Sequence, residues 1–319
     1  MMTAETGKPV TPDVIVPDAA SDNWVDTYAP DGAKPYLRLM RADRPIGTWL
    51  LLFPCLWSQA LAHLSVGEAS FNVWFAILFA IGAFVMRGAG CTWNDIVDRD
   101  YDSQVERTAH RPIPSGQVTV LAALVFAVVL SLIGFLVLIQ FNWFTILVGI
   151  GSLAVVAAYP FAKRFTYWPQ VVLGLAFNWG ALVGWTAVTG SLSLTPLVFY
   201  IGCLMWTVAY DTIYAHQDAD DDAMIGLKST AIKFGQYSQP AVMALYCAAL
   251  ILWAIALAMA GVVGPAYLAL AVAAGHFVWQ AMTLDTSSAE NCLMRFKSNQ
   301  WVGWILFVGL LAEIVVIGL

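Results

Sequence analysis

Apolar residues run through this chain in long blocks. Nine stretches can be marked, at roughly 47–66, 72–93, 119–139, 142–160, 171–189, 194–213, 239–259, 263–281 and 301–318. At about 1.5 Å per residue, each is long enough to cross a hydrocarbon core as a helix. The polar gaps between them alternate. Those after the first, third, fifth and seventh stretches are short and lack Lys and Arg. Those after the even stretches are longer and hold Arg99, Arg107, Arg111, Lys163, Arg164, Lys228, Lys233, Arg295 and Lys297. The N-terminal segment adds Lys8, Lys34, Arg38, Arg41 and Arg44, and Arg87 alone stays inside a stretch. The positive-inside rule then predicts a cytoplasmic N-terminus, cytoplasmic even loops and a C-terminus on the far side.

Composition narrows the class further. Hydrophobic residues make up 60% of the 319 positions and charged ones 11%, which excludes a soluble domain and a disordered chain. The net charge of −6, with no basic run, excludes a nucleic-acid binder. Five scattered cysteines without a CxxC predict buried free thiols. Residues 1–34 are rich in Pro, Asp, Thr and Ala and are expected to form a flexible cytoplasmic tail. Residues 35–319 are expected to form one bundle of nine transmembrane helices, an all-α polytopic membrane protein with no obligate protein partner.

Acidic residues are concentrated where two even stretches end. Ten of the 21 lie in NDIVDRDYDSQVERTAHRPIPSG, from Asn94, and DTIYAHQDADDDAMIGLKSTAIKFG, from Asp211. Continued as helix, Asp95, Asp98 and Asp102 share one face, while Asp100 points roughly 140° from Asp95 at about 100° per residue. Asp211, Tyr214, Asp218 and Asp222 likewise share a face if that helix continues, with Asp220 opposite. Like charges so placed repel unless a cation holds them. Two such faces on one membrane side suit a hard divalent cation such as Mg²⁺, which takes oxygen ligands and bridges carboxylates to phosphates.

Nearby cations extend the pattern. Arg107, Arg111, Lys163, Arg164 and Lys228 are candidates for diphosphate oxygens. Arg41 and Arg44, just before the first stretch, anchor that helix or bind an anionic second substrate. Arg87 is costly inside a span unless paired or snorkelling. Gln170 and Asn178 join helices by hydrogen bonds or line a cavity, and Glu313 is expected to reach the far interface.

The chain resembles the UbiA family of intramembrane prenyltransferases. Its NDxxDxxxD motif reads Asn94, Asp95, Asp98 and Asp102, followed by Arg107. Its second motif reads Asp211, Tyr214, Asp218 and Asp222, followed by IGLKSTA. RPIGTWLL, MRGAGCTWND and YPFAKRFTYWPQ carry the likeness from about residue 35 to the end. The resemblance implies a UbiA-type fold and transfer of an all-trans polyprenyl group from its diphosphate to the 3-position of 4-hydroxybenzoate in ubiquinone biosynthesis. It implies Mg²⁺ held by the six motif aspartates, which are also the catalytic candidates. Asn94 would orient a ligand, Lys163 and Arg107 would contact diphosphate, and Tyr214 and Lys228 would line the substrate site. One of Arg41, Arg44 and Arg164 would bind the acceptor carboxylate. The expected location is a bacterial inner membrane with the motifs on the cytoplasmic side. Two alternatives remain open: another acceptor (a naphthoate, haem or a chlorin), and an anion transporter, for which discontinuous spans are the expected signature.

Overall fold

The computed structural model describes residues 23–319, apart from the side chains of residues 106 and 107. Residues 1–22 of the tail expected over 1–34, and the role expected of Arg107, lie outside the described residues. Among the described residues the protein is all-α. After short helices at Trp24–Tyr28 and Lys34–Leu39 come α1 (Ile46–Ser65), α2 (Val73–Asp102), α3 (Val120–Leu138) and α4 (Trp143–Ala158). Next is α5, in two pieces (Pro169–Phe177 and Gly180–Thr189), then α6 (Leu194–Ala215), α7 (Ser238–Met259), α8 (Pro265–Met282) and α9 (Ala289–Ile317).

Each expected apolar stretch is met by one of these helices, but fewer of them qualify as spans by length and apolarity alone. Among the described residues, seven helices do: α2 to α7 and α9. The other two carry polar groups that the bundle pairs internally. In α1, Ser58 donates to the Ala181 carbonyl and Gln59 Nε2 donates to the Asn72 carbonyl at 2.7 Å. In α8, Gln280 Oε1 accepts from Tyr246 at 2.6 Å. The chain is an all-α polytopic membrane protein.

The core centres on α1, buried almost continuously from Leu52 to Leu64. Trp57 of α1 meets Trp206 of α6 and Trp253 of α7 at centroid distances of 5.2 and 5.5 Å. Gly180 and Gly184 let α5 lie against α1, where an added methyl would strike Cys55. By contrast α3 and α4 turn Leu121, Val125, Leu132, Leu136 and Leu147 outward, as lipid-facing helices do.

Three local features depart from expectation. Residues 23–34, expected to belong to a flexible tail, pack on the bundle instead. Val25 is buried, Trp24 donates to the Ala42 carbonyl at 2.9 Å, and Asp26 pairs with Arg38 at 2.7 Å. Glu313 does not reach the interface. It is buried and accepts the backbone N–H groups of Val263, Gly264 and Ala266 at 3.0–3.2 Å. It thereby caps α8, whose N-cap residue Gly264 has no side chain to do so. Finally, α5 breaks at Asn178, whose side chain bonds back to the Gly174 carbonyl and across to Thr207 of α6 at 2.8 and 2.7 Å. The helix-joining role expected of Asn178 is therefore the observed one.

Candidate active site

The first aspartate motif lies on an unbroken helix. Because α2 runs to Asp102, Asp95, Asp98 and Asp102 share a face, with side chains 0, 0 and 7% exposed, while Asp100 is 77% exposed. Three buried carboxylates on one face need counter-charge, and the surrounding segments supply it. Arg41 Nη2 lies 2.7 Å from Asp95 Oδ1, and Arg111 Nη1 lies 3.3 Å from the same oxygen and 2.7 Å from Asp102 Oδ2. Lys163 Nζ lies 2.7 Å from Asp98 Oδ2, and Arg164 Nη2 lies 3.5 Å from Asp98 Oδ1. Burial works against the charge of Arg41, but Asp95, Asp43 and Asp102 together with Cys91 outweigh it and hold the guanidinium above its ordinary pKa.

The second motif is not on one continuous helix. α6 ends at Ala215, and Asp218 becomes the N-cap of a short helix, Ala219–Met224. The dipole gives the reason. A run of acids at the C-terminus of α6 would face its negative end, whereas Asp220, Asp221 and Asp222 in the first turn of a new helix face a positive one. The expected single helical face is thus built from two helices. Asp211, Tyr214, Asp218 and Asp222 still line one cavity.

That cavity has a volume of about 240 Å³. Asn94, Asp102, Lys163 and Lys228 share its wall with the second-motif residues, so both motifs meet across it. Asp95 and Asp98 sit behind the wall. The Lys228 N–H donates to the Lys163 carbonyl at 2.9 Å, tying the loop after the second motif to the turn after α4. Gln170 also lines the cavity and accepts the Thr230 N–H at 3.0 Å.

Among the described residues no three acidic, His or Cys side chains converge on one point; the first-motif carboxylates are paired with Arg41, Arg111, Lys163 and Arg164 instead. The donors themselves suit a hard divalent ion. Asp95 Oδ2 is buried and accepts no hydrogen bond, so a strong oxygen ligand remains unused there.

Three predicted cations are not on the cavity wall. Arg41 is turned to Asp95, Arg44 lies 3.3 Å from Asp43 Oδ1, and Arg164 donates to the Val97 carbonyl at 2.8 Å beneath Tyr101 and Phe161. Arg87 lines a second cavity instead. Its Nη1 donates to the Arg41 carbonyl at 3.0 Å, while its buried Nε has no hydrogen-bond partner. Its signal in the sequence was a lone charge inside an apolar stretch.

The second cavity, of about 260 Å³, is lined by apolar side chains of α2 to α5, among them Phe79, Met86, Leu138, Leu153 and Phe177. Tyr159 and Leu173 line both cavities. A chamber walled by carboxylates and by Arg111, Lys163 and Lys228 therefore abuts an apolar one, an arrangement that suits an amphiphile with a polar, metal-binding head.

A chamber of this kind, set among membrane helices, suits an enzyme that acts within the membrane on an amphiphilic substrate. The chain matches the UbiA prenyltransferase family over residues 51–310 and belongs to it. It is 44% identical to the mitochondrial 4-hydroxybenzoate polyprenyltransferase of Caenorhabditis elegans, over 94% of this chain and 83% of the relative. It is 46% identical to the human protein of the same name, over 88% of this chain and 76% of the relative. Among solved structures, a UbiA homolog from Aeropyrum pernix K1 aligns with a TM-score of 0.70 at 25% identity, covering 82% of this chain and 97% of that one. A homolog from Archaeoglobus fulgidus bound to GPP and Mg²⁺ shares the fold at a TM-score of 0.61 and 17% identity, covering 88% and 99%.

Proposed function

We infer that this chain is a Mg²⁺-dependent prenyltransferase that moves a polyprenyl group from its diphosphate to the 3-position of 4-hydroxybenzoate, in ubiquinone biosynthesis. One observation carries this reading: both aspartate motifs face a polar cavity that shares Tyr159 and Leu173 with an apolar one. The activity of the relatives agrees with it.

Asp95, Asp98, Asp102, Asp211, Asp218 and Asp222 are the proposed metal ligands, with Asn94 orienting a carboxylate. Magnesium held there would supply counter-charge to the diphosphate oxygens as the leaving group departs. Lys163, Lys228 and Arg111 meet oxygens left uncovered, and Arg107 is retained from the motif as a further contact. The isoprenoid tail lies in the apolar cavity, whose walls keep water from the allylic carbon as its C–O bond breaks. The acceptor ring attacks ortho to its hydroxyl, and loss of the proton from that carbon restores aromaticity.

Its carboxylate needs a cation in an apolar chamber. Arg87 replaces Arg41, Arg44 and Arg164 as the candidate, because it lines the apolar chamber and pairs with no carboxylate among the described residues. The proposed setting is a bacterial inner membrane crossed nine times, with N-terminus and motif loops cytoplasmic. The one-sided distribution of Lys and Arg supports it.

The test is an assay of detergent-purified protein with Mg²⁺, a polyprenyl diphosphate and a panel of acceptors. 3-Polyprenyl-4-hydroxybenzoate is the expected product. Prenylation of a naphthoate, haem or a chlorin with 4-hydroxybenzoate inert would move the protein to another acceptor. Anion flux into proteoliposomes without any prenylation would favour a transporter. The interrupted α5 is no argument for transport, because Asn178 is buried and its side chain seals the break.

A further inference from the structure

The first motif is crowded with positive charge. Asp95, Asp98 and Asp102 face Arg41, Arg111, Lys163 and Arg164 within 3.5 Å. A divalent ion on the same carboxylates would stand next to four cations in a buried setting, where like charges repel strongly. Some of those cations must therefore give way.

Their surroundings sort them. Arg41 is 9% exposed, its Nη1 donates to the Arg38 carbonyl at 3.1 Å, and its own carbonyl is held by Arg87. Arg164, although 29% exposed, is held by the Val97 carbonyl and two aromatic rings. Lys163 and Arg111 are 27 and 22% exposed, lie outside the long helices and line the cavity. Both can swing toward an anion in the cavity without breaking a backbone contact that the other two depend on.

We propose that Lys163 and Arg111 are exchangeable counterions, competing with the divalent metal for the motif carboxylates and passing to the diphosphate when metal and substrate bind together. Arg41 and Arg164 are the fixed partners. The inference rests on the reading of these aspartates as metal ligands. It makes metal and diphosphate binding mutually reinforcing, because each removes the charge that opposes the other.

Mn²⁺ titrated into the full chain in detergent, with the free ion followed by electron paramagnetic resonance, tests it. Without substrate, Lys163→Gln and Arg111→Gln should each bind Mn²⁺ about tenfold more tightly than wild type, the size of one lost charge-assisted contact. Lys163→Arg, which keeps the charge, should stay near wild type. At saturating Mn²⁺, Lys163→Gln should bind geranyl thiolodiphosphate about tenfold more weakly. Unchanged or weaker Mn²⁺ binding in both Gln variants would overturn the exchange. Mn²⁺ binding insensitive to Asp98→Asn and Asp218→Asn would instead overturn the ligand assignment, and the exchange with it.

Discussion

Arg41 adopts a left-handed backbone conformation, φ 61°, the one non-glycine to do so among the described residues. A residue with a Cβ is held there only where its surroundings over-determine it. Here they do: its guanidinium serves Asp95 and its carbonyl serves Arg87. Replacing it by Ala leaves Asp95, 0% exposed, with Arg111 alone. Arg41→Ala should therefore destabilise the protein by about 3–5 kcal/mol, read as a lowered thermal midpoint in detergent. A midpoint equal to wild type would remove Arg41 from the buried network. Nothing in RADRP announces this role, since pairing residues 54 positions apart is a tertiary fact. The identity of the motif carboxylates was legible, because their helical phase alone separates buried Asp98 from exposed Asp100.

Helices were legible wherever apolar runs are long, and less so where polar groups compete for the backbone. The end of α6 at Ala215 and the break in α5 at Asn178 both fall where Asp, Asn or Gln side chains offer alternative partners. Periodicity alone carried the second motif onward as one helix and missed that restart. Glu313 shows a related limit: its partners are the N–H groups of another helix, 47 to 50 residues away in sequence. Glu313→Ala should uncap α8 and cost about 1–3 kcal/mol. Glu313→Gln, which retains one acceptor, should cost less. Both are measurable as thermal midpoints, and equal losses would show that the charge rather than the cap matters.

At the scale of the whole molecule, the bundle brings two motifs more than a hundred residues apart to one cavity, with an apolar chamber beside it. Basic-residue asymmetry adds a direction. In a cysteine-free background, a cysteine at position 65 should react with impermeant maleimide only from outside the cytoplasm, and one at position 104 only from within; the reverse pattern would invert the topology. Membership of the UbiA prenyltransferase family was legible from the motifs, and Arg87, the cation proposed for the acceptor, was not, because it is singled out only once its neighbours are known.

The most direct measurement of the central claim, that the two motifs carry one reaction, is prenyl transfer to 4-hydroxybenzoate by four single variants. Asp98→Asn and Asp218→Asn should each lower kcat by roughly a hundredfold or more, since losing even an outer-shell partner of a metal ligand costs about 10–100-fold. Asp100→Asn and Asp220→Asn, off the ligand faces, should stay near wild type. Equal turnover by all four would contradict the account.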